Sequence, residues 1–517
     1  MTESGARTTD AESIDLSLVS HTNVGKTTLA RTLLRTDIGE VRDAAHVTEV
    51  AEGHVLIESA RGDTLRLWDT PGFGDSVRLL KRLRASANPI GWLLSHVWDR
   101  FTDRPFYSSQ QAVRNVRDTC DIVLYLVNAA EDPASAGYVD AEMQILAWLD
   151  KPVVLLLNQI GPPRGSEADA QDEAAWRAHL RAYPLVRGVI SLDAFARCWV
   201  QEDELLAAVG GALRSETQPT LLRLRRAWRE RNLEVFHASM RTLSAQLASA
   251  ALDREPIDPH SRSSKVKRWL QAARSGGTPT DPDSGRAMQT LARRLEHRLR
   301  EATDALIRLH GLSGSATEEI FSRMASQYDE RSPADVTTSG VFGGILSGAL
   351  GGLTADLAAG GLTAGAGALI GAILGAYGAG GAARVYNLAR NTLNGSVGWS
   401  GALLEQLVAT ALLRYLAVAH FGRGRGDWVT GEYPKHWRAL VEQVVAVRHA
   451  QIEGVWAARN EAGSERVQRD LLAVLDEAAR ETLIRLYPGA QGIFAAAPIA
   501  ETDAHDHLLQ PARDATN

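Results

Sequence analysis

The chain has 517 residues, enough for about three domains, with 45% hydrophobic and 23% charged residues, which fits a folded globular protein and excludes a disordered or fibrous one. A net charge of −6 gives no global electrostatic case for nucleic acid. The two cysteines, Cys120 and Cys198, have neither zinc-site nor disulfide-framework spacing, so both are expected to be buried, inert thiols in a reducing cytoplasm.

The N-terminus through Asp15 is polar and acidic, without the layout of a secretion signal, and residues 1–13 are expected to be disordered. An apolar run, Ile14 to Val19, then predicts a strand, and Leu29 to Leu34 predicts a helix. Between them Ser20 to Thr28 read Ser-His-Thr-Asn-Val-Gly-Lys-Thr-Thr. A phosphate-binding loop needs this order of strand, loop and helix. Its backbone N–H groups cradle phosphates, the Lys neutralises them, the Thr hydroxyl takes magnesium, and the helix N-terminus adds its positive dipole end. Ser20 stands where the pattern G-x-x-x-x-G-K-[ST] has its first Gly; Ser is small, so little is lost if the backbone there needs no positive φ.

Thr48 follows a polar loop, Asp43 to Val47, where a Thr closes over magnesium when a third phosphate is present. Val55 to Ser59 and Thr64 to Trp68 predict two strands around a turn. The second runs into Asp69-Thr70-Pro71-Gly72, where the Asp holds magnesium through water and the Gly N–H meets a γ-phosphate. Residues 73–118 are longer than one switch helix needs. With Leu79, Leu80, Leu83, Trp92 and Trp98 they read as extra core, with a partner surface as the alternative. Asp121 to Asn128, Pro152 to Leu157 and Gly188 to Ser191 predict further strands; the second ends in Asn158-Gln159 and the third in Ser191-Leu192.

On the loop and the Asp69 to Gly72 motif, residues 14–200 resemble a P-loop GTPase of the TrmE/Era/septin-like branch. More narrowly the chain resembles a bacterial family that joins such a domain to a helical C-terminal domain. The resemblance implies an α/β P-loop NTPase fold over 14–213, GTP and GDP as ligands, Mg2+ as cofactor and γ-phosphate hydrolysis. It gives nucleotide-binding roles to Asn23, Val24, Gly25, Lys26, Thr27, Thr28, Asp69, Gly72, Asn158, Gln159, Ser191 and Leu192. Lys26, Thr48 and Gly72 would act in catalysis. Thr27, Thr48 and, through water, Asp69 would hold Mg2+. Asn23 matches a K+ ligand of some relatives, against the plainer reading of a loop-shaping turn residue. Phe73 stands where Ras-like enzymes place a water-orienting Gln, so slow turnover assisted by a partner, an ion or homodimerisation is expected. The guanine-reading Asn-Lys-x-Asp is Asn158-Gln159-Ile160-Gly161 here, without the Asp; Asp169, Asp172 and Glu173 are the nearest candidate substitutes.

Beyond Glu202 strand signals fade, which predicts a mainly α-helical C-terminal region. Helices are expected over Glu202 to Leu213, Thr220 to Leu252, Arg286 to Leu309, Ala316 to Tyr328, Arg384 to His420 with a break near Asn394-Gly395, Trp437 to Asn460 and Arg466 to Leu486. A linker is expected over 255–285, and the region divides into 214–335, 336–383, 384–501 and a tail, 502–517. Arginines recur at 223, 225, 226, 229, 231, 293, 294, 298 and 300, read as solvated helix faces with acidic neighbours or as lipid or RNA contacts. Uncharged runs over 336–355 and 357–383 carry glycines every four residues, the pattern of a close-packed helical hairpin; each is long enough to cross a bilayer yet poor in Leu, Ile and Phe. Membrane docking through 339–383 and a buried soluble hairpin both stay open. The expectation is therefore a cytoplasmic nucleotide switch, at the inner face of the cell membrane if the hairpin docks there, on a helical effector. An RNA- or ribosome-associated GTPase and a non-hydrolysing nucleotide-sensing scaffold are the alternatives.

Overall fold

A computed structural model describes residues 11–35, 51–95, 103–160, 166–192, 198–256, 282–312, 396–399, 401–421 and 435–495. The predicted helix over 316–328, the glycine-patterned segment and the tail lie outside the described residues, as do Thr48 and Gly161.

The N-terminal half is a six-stranded sheet in the order β2-β3-β1-β4-β5-β6: β1 (Ser13–Ser20), β2 (Glu52–Glu58), β3 (Thr64–Asp69), β4 (Ile122–Asn128), β5 (Val153–Asn158) and β6 (Val186–Ser191). Only β2 runs antiparallel to its neighbour. The central strands are continuous apolar runs because both faces are covered. Alternate residues serve the two faces: Ile122, Leu124 and Leu126 join one core, and Val123, Tyr125 and Val127 the other. On the second face pack α2 (Ser76–Leu83), α3 (Pro89–Ser95), α4 (Arg104–Asp118), α5 (Gly137–Ala147) and α6 (Ser166–His179). Leu79, Leu83 and Leu93 are buried there, so the described part of the insert is extra core.

On the first face α1 (Lys26–Leu34) is joined by the helical half: α7 (Trp199–Ala212), α8 (Gln218–Leu252), α9 (Pro282–Leu309), α10 (Gly401–Ala419), α11 (Lys435–Val447), α12 (His449–Ala462), α13 (Ser464–Leu486) and α14 (Ala490–Phe494). One hydrophobic core runs from Leu16 and Leu29 through Trp228 and Phe236 to Leu475. The 35-residue α8 is its spine. Cys120 and Cys198 are buried and not joined in a disulfide, and burial pushes the Cys120 thiol up to about 12.

Three local expectations change. Residues Arg254–Pro256 (β7) and Ser396–Gly398 (β8) pair as an antiparallel ribbon, the first where the linker was expected to begin and the second just after the break expected near Asn394-Gly395, and neither was expected as a strand. Strands this short carry no alternation, and their partners lie far apart in sequence. Helix α9 begins inside the expected linker at Pro282, a residue suited to a first helical turn. The expected helix over Trp437 to Asn460 is two, divided at Arg448 (φ −97, ψ 8), whose guanidinium binds Glu481 at 2.8 Å and the Val444 carbonyl at 2.9 Å.

The arginine clusters are largely engaged within the fold. Arg223 pairs with Asp63, Arg225 and Arg229 with Asp203, Arg226 with Glu230, Arg294 and Arg298 with Asp253, and Arg300 with Glu296. Among the described residues no helix is long and apolar enough to cross a membrane.

Candidate nucleotide site

Strand β1 ends at Ser20, and the chain turns through His21 to Gly25 into α1. Asn23 (φ 64) and Gly25 (φ 91) adopt left-handed backbone, the kind of local geometry from which anion-binding concavities are built. Asn23 is exposed, in keeping with its turn-forming reading. Asn158, the last residue of β5, donates from Nδ2 to the Val24 carbonyl at 2.7 Å. A Cβ on Gly25 would lie 2.8 Å from that same Nδ2, so the buttress that holds the loop also demands glycine. Gly25→Ala is expected to weaken nucleotide binding about tenfold or more by calorimetry, since both φ and space oppose the added carbon.

Lys26 is 8% exposed. Its Nζ donates to Ser20 Oγ at 2.9 Å and to the His21 carbonyl at 3.5 Å. Burial lowers its pKa, opposed by the charges of Asp69 and Glu142. Ser20 is not among the positive-φ residues, so the missing first glycine costs nothing in backbone, and its hydroxyl gains a role in holding the lysine. Thr27 Oγ1 donates to Asp69 Oδ2 at 2.6 Å, and Thr28 is buried behind it. Burial pushes the Asp69 carboxyl up; the Thr27 hydrogen bond and the Lys26 charge oppose this. Gly72 closes the site: a Cβ there would lie 2.9 Å from Lys26 Nζ and 3.2 Å from Thr22 Cα. The Phe73 N–H donates to the Ser20 carbonyl at 2.9 Å, and the Phe73 side chain is wholly buried.

Thr27 and Asp69 converge as a hydroxyl and a carboxylate oxygen at the start of α1, next to the phosphate loop. Among the described residues no group of three or more His, Cys, Asp or Glu could cage a metal. Two hard oxygen donors that leave the remaining positions to water and phosphate suit Mg2+.

Toward the expected base-binding end, Gln159 is left-handed (φ 55). Leu192 is wholly buried, and its N–H donates to the Leu157 carbonyl at 3.0 Å. Glu173, one of the acids considered as a guanine reader, accepts the Ser191 N–H at 2.8 Å, while Arg177 donates to the Val189 carbonyl. Glu173 thereby helps to close the edge of β6.

Sequence reasoning passed over one feature. Glu142 of α5 is wholly buried behind the loop, with Oε1 2.8 Å from His21 Nδ1 and Oε2 accepting the Tyr125 hydroxyl at 2.6 Å. Its position more than a hundred residues from the loop left no local signal.

A mainly parallel sheet with a phosphate loop, a Thr–Asp pair and a glycine against the loop lysine defines a P-loop GTPase domain, and residues 15–159 match the family model described as 50S ribosome-binding GTPase. Residues 185–485, more than half of the chain, match the model described as domain of unknown function DUF3482, and the chain belongs to that family. No curated protein matches. Among solved structures, Era in complex with MgGDPNP and a stretch of 16S ribosomal RNA is 16% identical, over 40% of this chain and 58% of that one, with a TM-score of 0.30. An Aquifex aeolicus Era variant bound to GDP and AlF4− is 18% identical over the same shares, with a TM-score of 0.29. A dimerization-deficient Toc33 from Arabidopsis thaliana is 17% identical, over 36% of this chain and 73% of that one, with a TM-score of 0.24. The chain thus spans 58% of the length of the Era chains it matches.

Proposed function

We propose that the protein is a GTP-binding switch with slow unaided hydrolysis, whose nucleotide state is passed to the helical half. The observation that carries this reading is the convergence of Lys26, Thr27, Asp69 and Gly72 beside a loop whose neighbour Phe73 turns its ring into the core. Lys26 neutralises the β- and γ-phosphates, and the loop N–H groups hold them in line for attack by water. Mg2+, when bound at Thr27 and through water at Asp69, supplies further charge on the phosphate oxygens. Phe73, the residue after Gly72, cannot orient the water, so turnover by the isolated protein is slow and open to acceleration by a partner, by K+ or by pairing of two copies.

The route to the helices is α8. It contacts the end of the phosphate-loop helix through Arg35 and Asn232, the residue just before β1 through Thr220 and Glu12, and the β2–β3 turn through Arg223 and Asp63. An RNA-binding role gains nothing from the arginines of α8 and α9, which are largely paired within the fold.

The test is calorimetry with GTP, ATP and XTP, followed by turnover in sodium and potassium salts. GTP is expected to bind more tightly than ATP. With the guanine-reading Asp absent, the preference should be modest. A preference for ATP overturns the guanine reading, and binding without turnover in either salt leaves a nucleotide-sensing scaffold instead.

A further inference from the structure

The buried carboxylate behind the phosphate loop has no place in the role just described, yet burying it is costly unless every oxygen is engaged. In Glu142 both are: one by His21, the second residue of the loop, and one by Tyr125, itself wholly buried in β4. A carboxylate only accepts, so His21 Nδ1 carries the proton toward it, which fixes the ring's tautomer and orientation. The ring also lies against Tyr138 at the start of α5, with centroids 4.5 Å apart and planes tilted by 32°, and the Tyr138 hydroxyl is anchored on Glu131 at 2.6 Å.

His21 is the residue through which the phosphate loop meets the segment after Asp69. It forms an isolated parallel bridge with Phe73, next to the hydrogen bond from Phe73 N–H to the Ser20 carbonyl. One residue before Phe73, Gly72 sits against Lys26 with no room for a Cβ. A continuous set of contacts thus runs from Tyr125 through Glu142 and His21 to the seam that holds Gly72 beside the lysine. Because the Phe73 ring is buried, hydrolysis here depends on how well backbone groups and Lys26 are placed, and small misplacements in such a site are expensive.

We propose that Glu142 is a positioning residue for hydrolysis, acting through His21 to fix the register between the phosphate loop and the Gly72-Phe73 segment. This rests on the reading of the protein as a hydrolysing GTPase. Glu142→Gln keeps the size and removes the charge that grips the imidazole. It is expected to lower kcat for GTP about tenfold, with KM and GDP affinity within about twofold of the wild type. Tyr125→Phe removes only the second anchor and should lower kcat less, in the same direction. His21→Gln should match Glu142→Gln, and the double variant should be no worse than either single one, since both act through one contact. Unchanged kcat in Glu142→Gln and Tyr125→Phe overturns the proposal while the GTPase reading stands. A parallel loss of GDP affinity and kcat also overturns it, leaving Glu142 as a plain structural anchor. Wild-type protein that binds GTP without turning it over overturns the hydrolysis reading, and this proposal falls with it. Should Glu142→Gln fail to fold, Tyr125→Phe carries the same comparison.

Discussion

Lys26→Met is expected to reduce affinity for both GTP and GDP by at least about a hundredfold, the largest effect of any single substitution in the site. The ammonium lies against the loop at Ser20 and His21, where hydrogen bonds to charged phosphate oxygens are worth about 1.5–3 kcal/mol each. A hundredfold loss corresponds to about 2.7 kcal/mol, within reach of two such bonds. Methionine keeps the apolar stem packed, so the change isolates the charge. Asp69 and Glu142 stay anchored without it, on Thr27 and on His21 with Tyr125. Thermal unfolding reads this directly. Nucleotide at about a hundred times its Kd should stabilise the wild type by about 2.7 kcal/mol, and that increment should nearly vanish in the variant. An unchanged nucleotide-induced shift in melting temperature would show that the phosphates are held elsewhere.

The parts of the site that were legible in the sequence are those set by short spacing. Gly25, Lys26 and Thr27 follow β1 directly, and Asp69 to Gly72 follow β3, so the order of strand and loop places them without long-range knowledge. The strands were legible because a sheet covered on both faces leaves near-continuous apolar runs. What the sequence hid was set by contacts between distant segments. Glu142 reaches the loop from α5, Arg223 reaches Asp63 from α8, and β7 pairs with a strand, β8, more than a hundred residues further along the chain. The break between α11 and α12 was hidden for another reason: apolar spacing runs on through Val444, Val445 and Ile452, and the interruption depends on one arginine held by a neighbouring helix. At Ser20 the backbone reading holds, since its φ is not positive, and the hydroxyl's hydrogen bond from Lys26 is a contact that the motif comparison did not show.

Asp63→Ala should both destabilise the fold and uncouple the helical half from the nucleotide. The Asp63 side chain is 2% exposed at the turn between β2 and β3. It accepts from Arg223 Nε at 2.6 Å and Nη2 at 3.2 Å, from Ser59 Oγ at 2.8 Å and from the Glu12 N–H at 3.2 Å. Alanine leaves the buried Ser59 hydroxyl and the Glu12 N–H without that acceptor, a loss of about 3 kcal/mol in all. The Arg223 hydrogen bond holds the Asp63 carboxyl far below the usual carboxylate range, with Glu12 and Ser59 adding to it and burial opposing. A depressed folded-state pKa contributes stability that is complete above the unfolded value, about 4, and is lost as pH falls below it. The wild type should therefore lose stability below about pH 4 more steeply than the variant, by urea unfolding at each pH. The functional consequence follows from where this turn lies. Strand β2 follows the segment that holds Thr48, β3 ends in Asp69, and among the described residues β2 is the edge strand of the sheet, paired with β3, so a change at the third phosphate has a short path to the turn that Arg223 grips. Limited proteolysis of the helical half should differ between GDP and a non-hydrolysable GTP analogue in the wild type and become alike in Asp63→Ala. If the wild-type patterns are the same in both nucleotide states, the helices do not read the nucleotide. If the variant still distinguishes the two states as the wild type does, the signal leaves the GTPase domain by another contact, with Arg35 against Asn232 the next to test.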